Sequence, residues 1–136
     1  MAAGWKSAAL VFFLSVAVYG PGLGDAFHYD DFHSIVLNPH LRSWERVVDF
    51  FVDPALFSAN PTGAMYRPLL LVTYVANFTV GDSALGFRWA NLVIHACNSM
   101  LVGWFLAQLT RRPSLAWGAA LFFALTPLNS EAVHYV

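Results

Sequence analysis

The chain has 136 residues, of which 58% are hydrophobic and only 11% charged, with a formal net charge of −1. A soluble domain of this size carries about 25% charged residues, so the deficit points to lipid as a solvent. The near-neutral balance argues against nucleic acid and against a polybasic lipid anchor. The lone Cys97 allows no intrachain disulfide.

From Ser7 to Gly24 no charge occurs, about the length a helix needs to cross a bilayer. Gly20, Pro21, Gly22 and Gly24 close the run through backbone entropy and a missing donor. Lys6 precedes it and Asp25 follows, which puts the N-terminus in the cytoplasm. A cleaved signal peptide would look similar. An uncleaved anchor is preferred because later segments also look membrane-spanning.

Residues 25–85 read as one outer loop. Ser43 to Val52 is expected to form a short amphipathic helix with Ser43 as N-cap and Trp44, Val47, Val48 and Phe51 on one face. Such a helix lies in the interfacial plane. Asp53-Pro54 and Asn60-Pro61-Thr-Gly63 are turn signals. Pro68 to Val80 is apolar but short, so a second interfacial helix is expected there, stopped by Gly81-Asp82. Two more spans follow, over about 86–110 and 114–128, separated by Arg111-Arg112-Pro113. Gly118, Ala119, Ala120 and Ala124 suit close helix packing in the last of them. With three spans, Lys6 and the double arginine share the cytoplasm while the loop and Glu131 face outward. Had 68–80 also crossed, both arginines would lie outside, against the positive-inside rule. The expected fold is an all-α integral membrane protein with about three spans.

The chemistry concentrates in Phe27-His-Tyr-Asp-Asp-Phe-His-Ser-Ile-Val-Leu-Asn-Pro-His40, which holds two adjacent carboxylates and three imidazoles. Asp30 and Asp31 can split their protonation, supply a general base or hold a divalent ion. Alternatively Asp31 caps a helix starting at Phe32. His28, His33 and His40 match no standard zinc spacing and read as loop histidines. Arg88, Asn91, His95 and Asn98 form one stripe of the second span, for interhelical hydrogen bonds or a substrate path. Arg67, with its planar fork, suits a lipid-linked phosphate or a loop carboxylate. Glu131 and His134 share a helical face, but a di-iron site needs more such ligands than this chain has.

Tyr29-Asp-Asp-Phe-His-Ser-Ile-Val-Leu-Asn-Pro39, Tyr66-Arg-Pro-Leu69, Asn91-x-x-x-His95-x-x-Asn98 and Ser130-Glu-Ala-Val133 occur in this order. The set resembles the N-terminal part of GT-C-type membrane glycosyltransferases that carry C-terminal tetratricopeptide repeats. That group includes the transmembrane O-mannosyltransferases acting on cadherins and their bacterial relatives. The likeness covers about Phe27 to Val136. It implies transfer of a mannose-like sugar from a polyprenyl- or dolichyl-phosphate donor to a protein or glycan acceptor on the non-cytoplasmic face. Asp30 or Asp31 would then be the catalytic base, with Arg67, His95 and Glu131 as substrate-binding supports. Thr126 departs from the pattern, since relatives often have His before Pro127.

The resemblance also implies further spans and repeats after Val136, so residues 1–136 are expected to be a fragment, inactive alone. The membrane is a bacterial cytoplasmic membrane or the endoplasmic reticulum, and no resident cofactor is assigned beyond an open question of a divalent metal. A non-catalytic membrane scaffold is the main alternative, and a transporter segment a weaker one.

Overall fold

The computed structural model describes residues 2–136, and every regular element in that range is helical. Five α-helices are present: α1 (Ala2–Tyr19), α2 (Pro68–Val80), α3 (Ala84–Thr110), α4 (Pro113–Leu125) and α5 (Ser130–His134). They divide between two compact units. The first combines residues 1–24 with 88–136, and the second is Asp25–Phe87.

Among the described residues, α3 is the helix long and apolar enough to cross a membrane, while α2 and α4 are shorter apolar helices. α4 stops at Leu125 rather than running to 128. Thr126 is extended because Pro127 disfavours the α conformation in the residue before it. At 13 residues α4 is about 20 Å long, short of a bilayer core of about 30 Å. α1 ends at Tyr19 rather than Gly24. Gly20–Gly22 tightens into a 3-10 turn in which Leu23 donates to the Gly20 carbonyl.

In the first unit α1 packs on α4. Val11 is buried against Ala120 and Ala124, with Met100, Trp117, Leu121 and Leu125 around them. The small residues that make this contact are Ala120 and Ala124, one turn apart, whereas Gly118 and Ala119 are exposed. A second cluster joins Tyr19, Leu92 and Val133.

The second unit is mostly turns. Three Asx-Pro pairs begin 3-10 turns, and in each the Asx oxygen accepts an N–H two residues on: Asn38 from His40, Asp53 from Ala55, and Asn60 from Thr62. The amphipathic helix expected over 43–52 is instead two separate 3-10 turns, Trp44–Arg46 and Asp49–Phe51. Ser43 does cap the first, accepting from Glu45 N–H. Ten residues bounded by turn signals are too few to propagate an α-helix, and Phe50 turns inward while Trp44, Val48 and Phe51 stay exposed. α2 matches its expected limits, with Pro68 at its first position and Gly81 after its last. Phe87 is the hub of the unit's core, with Phe27, Tyr74 and Phe78 ring centroids 5.8, 5.7 and 5.1 Å away.

Candidate functional site

The paired aspartates sit at the entrance to a wide turn. Asp31 N–H donates to the His28 carbonyl at 2.9 Å, and the His28 N–H returns to Asp31 Oδ2 at 2.8 Å. This reciprocal pair closes residues 28–31 into a turn. Asp31 therefore braces the residues before it and does not cap the helix after it. Beyond it, Phe32–Val36 is a single π-helical turn, closed by Leu37 N–H to the Phe32 carbonyl at 2.8 Å. Such over-wide turns recur at functional sites.

The two carboxylates meet different surroundings. Asp31 is 1% exposed, whereas Asp30 is open to solvent. The Asp30 carbonyl, not its carboxylate, carries the local structure, accepting from the Ser34 hydroxyl at 2.8 Å. Asp30 thus presents a free-standing acid on a braced turn. Asn38 fixes the far side: its buried amide nitrogen faces the carbonyls of Ser34, Leu56 and Phe57 at 3.0–3.2 Å.

Tyr74 joins this group from α2. Burial pushes its hydroxyl well above the ordinary tyrosine value, the Asp31 charge adds to the rise, and the Arg67 charge opposes it. Arg67 itself is exposed, its guanidinium 5.9 Å from the centre of the Phe57 ring. Asp30, Asp31, Arg67 and Tyr74 accordingly share one unit. The histidines are spent separately: His33 Nδ1 lies 3.0 Å from the Ser58 hydroxyl and His40 Nδ1 lies 3.3 Å from the Arg46 guanidinium. Among the described residues no group of three or more His, Cys, Asp or Glu side chains is placed to hold a metal ion.

The polar stripe of α3 belongs to the first unit and works differently. Arg88, 1% exposed, donates to the carbonyls of Gly24 and His134. Asn91 donates to the Tyr135 carbonyl at 2.7 Å, and His95 Nε2 lies 2.9 Å from the Ala124 carbonyl. The His95 ring also stacks on Phe123 and meets Tyr19 edge-on. Tyr19 in turn donates to the Thr126 carbonyl at 2.9 Å, so Thr126 is used through its backbone. Asn98 and Glu131 are exposed. Three of the four stripe residues therefore tie helix ends and loops together.

Comparison with known proteins adds sequence relatives. Protein O-mannosyl-transferase TMTC1 of Homo sapiens is 32% identical over 135 residues, covering 93% of this chain. A protein O-mannosyl-transferase of Caenorhabditis elegans is 26% identical over 137 residues and covers 96% of it. Protein O-mannosyl-transferase Tmtc1 of Drosophila melanogaster is 30% identical over 130 residues and covers 88%. The chain is a homologue of the protein O-mannosyl-transferases. It spans only 15%, 20% and 14% of those three relatives. No family model and no solved structure matches it.

Tyr74 and Asn38 are the members of the site region that sequence reasoning passed over. Asn38 carried a signal, since an Asn-Pro pair announces a turn. Tyr74 sat inside an apolar run with nothing to distinguish it until α2 placed it near two charges.

Proposed function

We propose that residues 1–136 form the N-terminal module of a GT-C-type membrane glycosyltransferase. It would move a mannose-like sugar from a polyprenyl or dolichyl phosphate to a protein or glycan acceptor on the non-cytoplasmic face. The sequence relatives support the reaction class, and α3 supports the membrane setting. In this reading α1 and α3 are spans and α4 with the residues that follow it makes the third crossing, with the N-terminus in the cytoplasm and residues 25–85 outside. The exposed Trp44, Val48 and Phe51 then rest on the bilayer surface.

The observation that carries the site assignment is the asymmetry of the acid pair. Asp30 is reachable by an acceptor, and Asp31 is buried where it braces the turn. Asp30 is therefore the general base. It takes the proton of the acceptor hydroxyl as that oxygen attacks the anomeric carbon, the bond to the donor phosphate breaks, and the configuration inverts. Asp31 holds the 28–31 turn and acts through Asp30. Arg67 is exposed and suited to the departing phosphate, two of whose oxygens its planar fork can engage at once. Glu131 is exposed in the first unit. His95 is engaged with the Ala124 carbonyl and fixes the end of α4 within the first unit.

The test is sugar transfer by the full-length gene product carrying Asp30→Asn, measured beside its membrane expression. Normal expression with transfer reduced roughly a hundredfold to ten-thousandfold supports the base assignment. Unchanged transfer would leave a non-catalytic scaffold as the better account.

A further inference from the structure

We propose that a groove formed by the start of α1, the end of α3 and the start of α4 binds one anionic phospholipid. Its acyl chain lies among tryptophans and its headgroup on Lys6, Arg111 and Arg112. The proposal rests on the membrane placement above but concerns the end of the first unit that carries no catalytic residue.

The groove has a volume of about 900 Å³ and is walled by Trp5, Ala8, Met100, Trp104, Ala107 and Trp117. That size falls within the range of about 300–1,000 Å³ usual for small-molecule sites. One wall is set by Gly103. A Cβ there would fall 2.6 Å from the Trp117 ring, so glycine is what lets that indole approach α3 this closely. Trp5 and Trp104 are exposed, with amphipathic rings suited to the boundary between acyl chains and headgroups.

Charge identifies the occupant. Lys6 adjoins Trp5, and Arg111-Arg112 fill the gap between Gln108 and Pro113, both of which line the groove. A smaller hollow of about 240 Å³ between Gly4, Ser7, Pro113, Ser114 and Trp117 sets the starts of α1 and α4 side by side. The three cations therefore rim one end, and all three are exposed. No Asp or Glu occurs in residues 1–24 or 88–130, so the unit offers them no carboxylate until Glu131, beyond the far end of α4.

Arg111 has a φ of 55°, the left-handed region where glycine is the default. A guanidinium is thus kept where a backbone preference opposes it, as happens where strain serves a function. A neutral lipid would fill the groove and leave this charge unanswered. A second copy related by a two-fold axis through the groove would bring three more cations against it. The anionic lipids of the cytoplasmic leaflet answer both the apolar walls and the charge.

The 136-residue chain carrying Trp44→Phe and Trp89→Phe is reconstituted in phosphatidylcholine vesicles. These contain an equal mole fraction of either dibrominated phosphatidylglycerol or dibrominated phosphatidylcholine, and tryptophan quenching is read. Stronger quenching by the brominated phosphatidylglycerol is expected, with roughly a fivefold fall in relative association for each cation neutralised. The Lys6→Gln, Arg111→Gly, Arg112→Gln combination should abolish the preference. Arg111→Gly alone, which relieves the backbone, should weaken it without unfolding the protein. Equal quenching by the two lipids, or a preference that survives the triple substitution, overturns the proposal and leaves the membrane reading standing. Efficient Cys97–Cys97 crosslinking between copies at low density also overturns it, because Cys97 lines the groove. No quenching by either lipid overturns the proposal and the membrane placement together.

Discussion

The two units use polar residues in opposite ways. In the first, polar side chains point at carbonyls at helix ends and in the loops beside them: Arg88 at Gly24 and His134, His95 at Ala124, Asn91 at Tyr135, Tyr19 at Thr126. Helices leave their last carbonyls without partners, and in an apolar setting a side-chain donor is the remaining way to satisfy them. In the second unit the backbone is turned so often that Asx oxygens and Asn38 complete it, and Asp30 is left over. A polar residue with a full set of structural bonds has little to offer a substrate. One standing exposed on a braced turn can do chemistry.

Five substitutions sharpen that contrast. The largest expected effect is on activity alone, through Asp30→Asn, which removes an exposed acid and should leave thermal stability unchanged. Asp31→Asn should lower both, because the new amide brings buried donors in place of a carboxylate acceptor. A stability loss of about 1–3 kcal/mol is expected, read as a lower unfolding temperature in detergent. Equal behaviour of the two variants would erase the distinction between base and brace.

In the first unit Arg88→Ala is expected to cost about 3 kcal/mol by leaving the Gly24 and His134 carbonyls without their donor. Proteolysis should then begin near residues 20–26 or 130–136. Gly103→Ala is expected to cost about 1–3 kcal/mol, since its methyl must displace the Trp117 ring. The smallest effect has the opposite sign. Arg111→Gly should stabilise the α3–α4 connection by about 1 kcal/mol, seen as a slightly higher unfolding temperature.

Much of this was legible in the residues. Pro68 and Gly81 bracketed α2 because one lacks a donor and the other weakens a helix, and both ends fell where those residues stand. The stripe on α3 was visible because its spacing sets Arg88, Asn91 and His95 on one face. The segment 43–52 misled for a physical reason: its apolar spacing fits a helix, but spacing says nothing about whether ten residues can propagate one. Small residues on α4 announced a close contact, yet only the packing of α1 decided that Ala120 and Ala124 would make it. The acid pair was conspicuous in the sequence. The difference between its members was not, because it rests on a turn that Asp31 closes with His28 while Asp30 stays open to solvent.

The account depends on the braced turn facing away from the cytoplasm. Tyr29, 92% exposed beside Asp30, gives a direct probe. In a Cys97→Ser background, Tyr29→Cys is treated with a membrane-impermeant maleimide in sealed vesicles of known orientation. Labelling from the outer or lumenal side alone is expected, and labelling only from the cytoplasmic side would contradict the account.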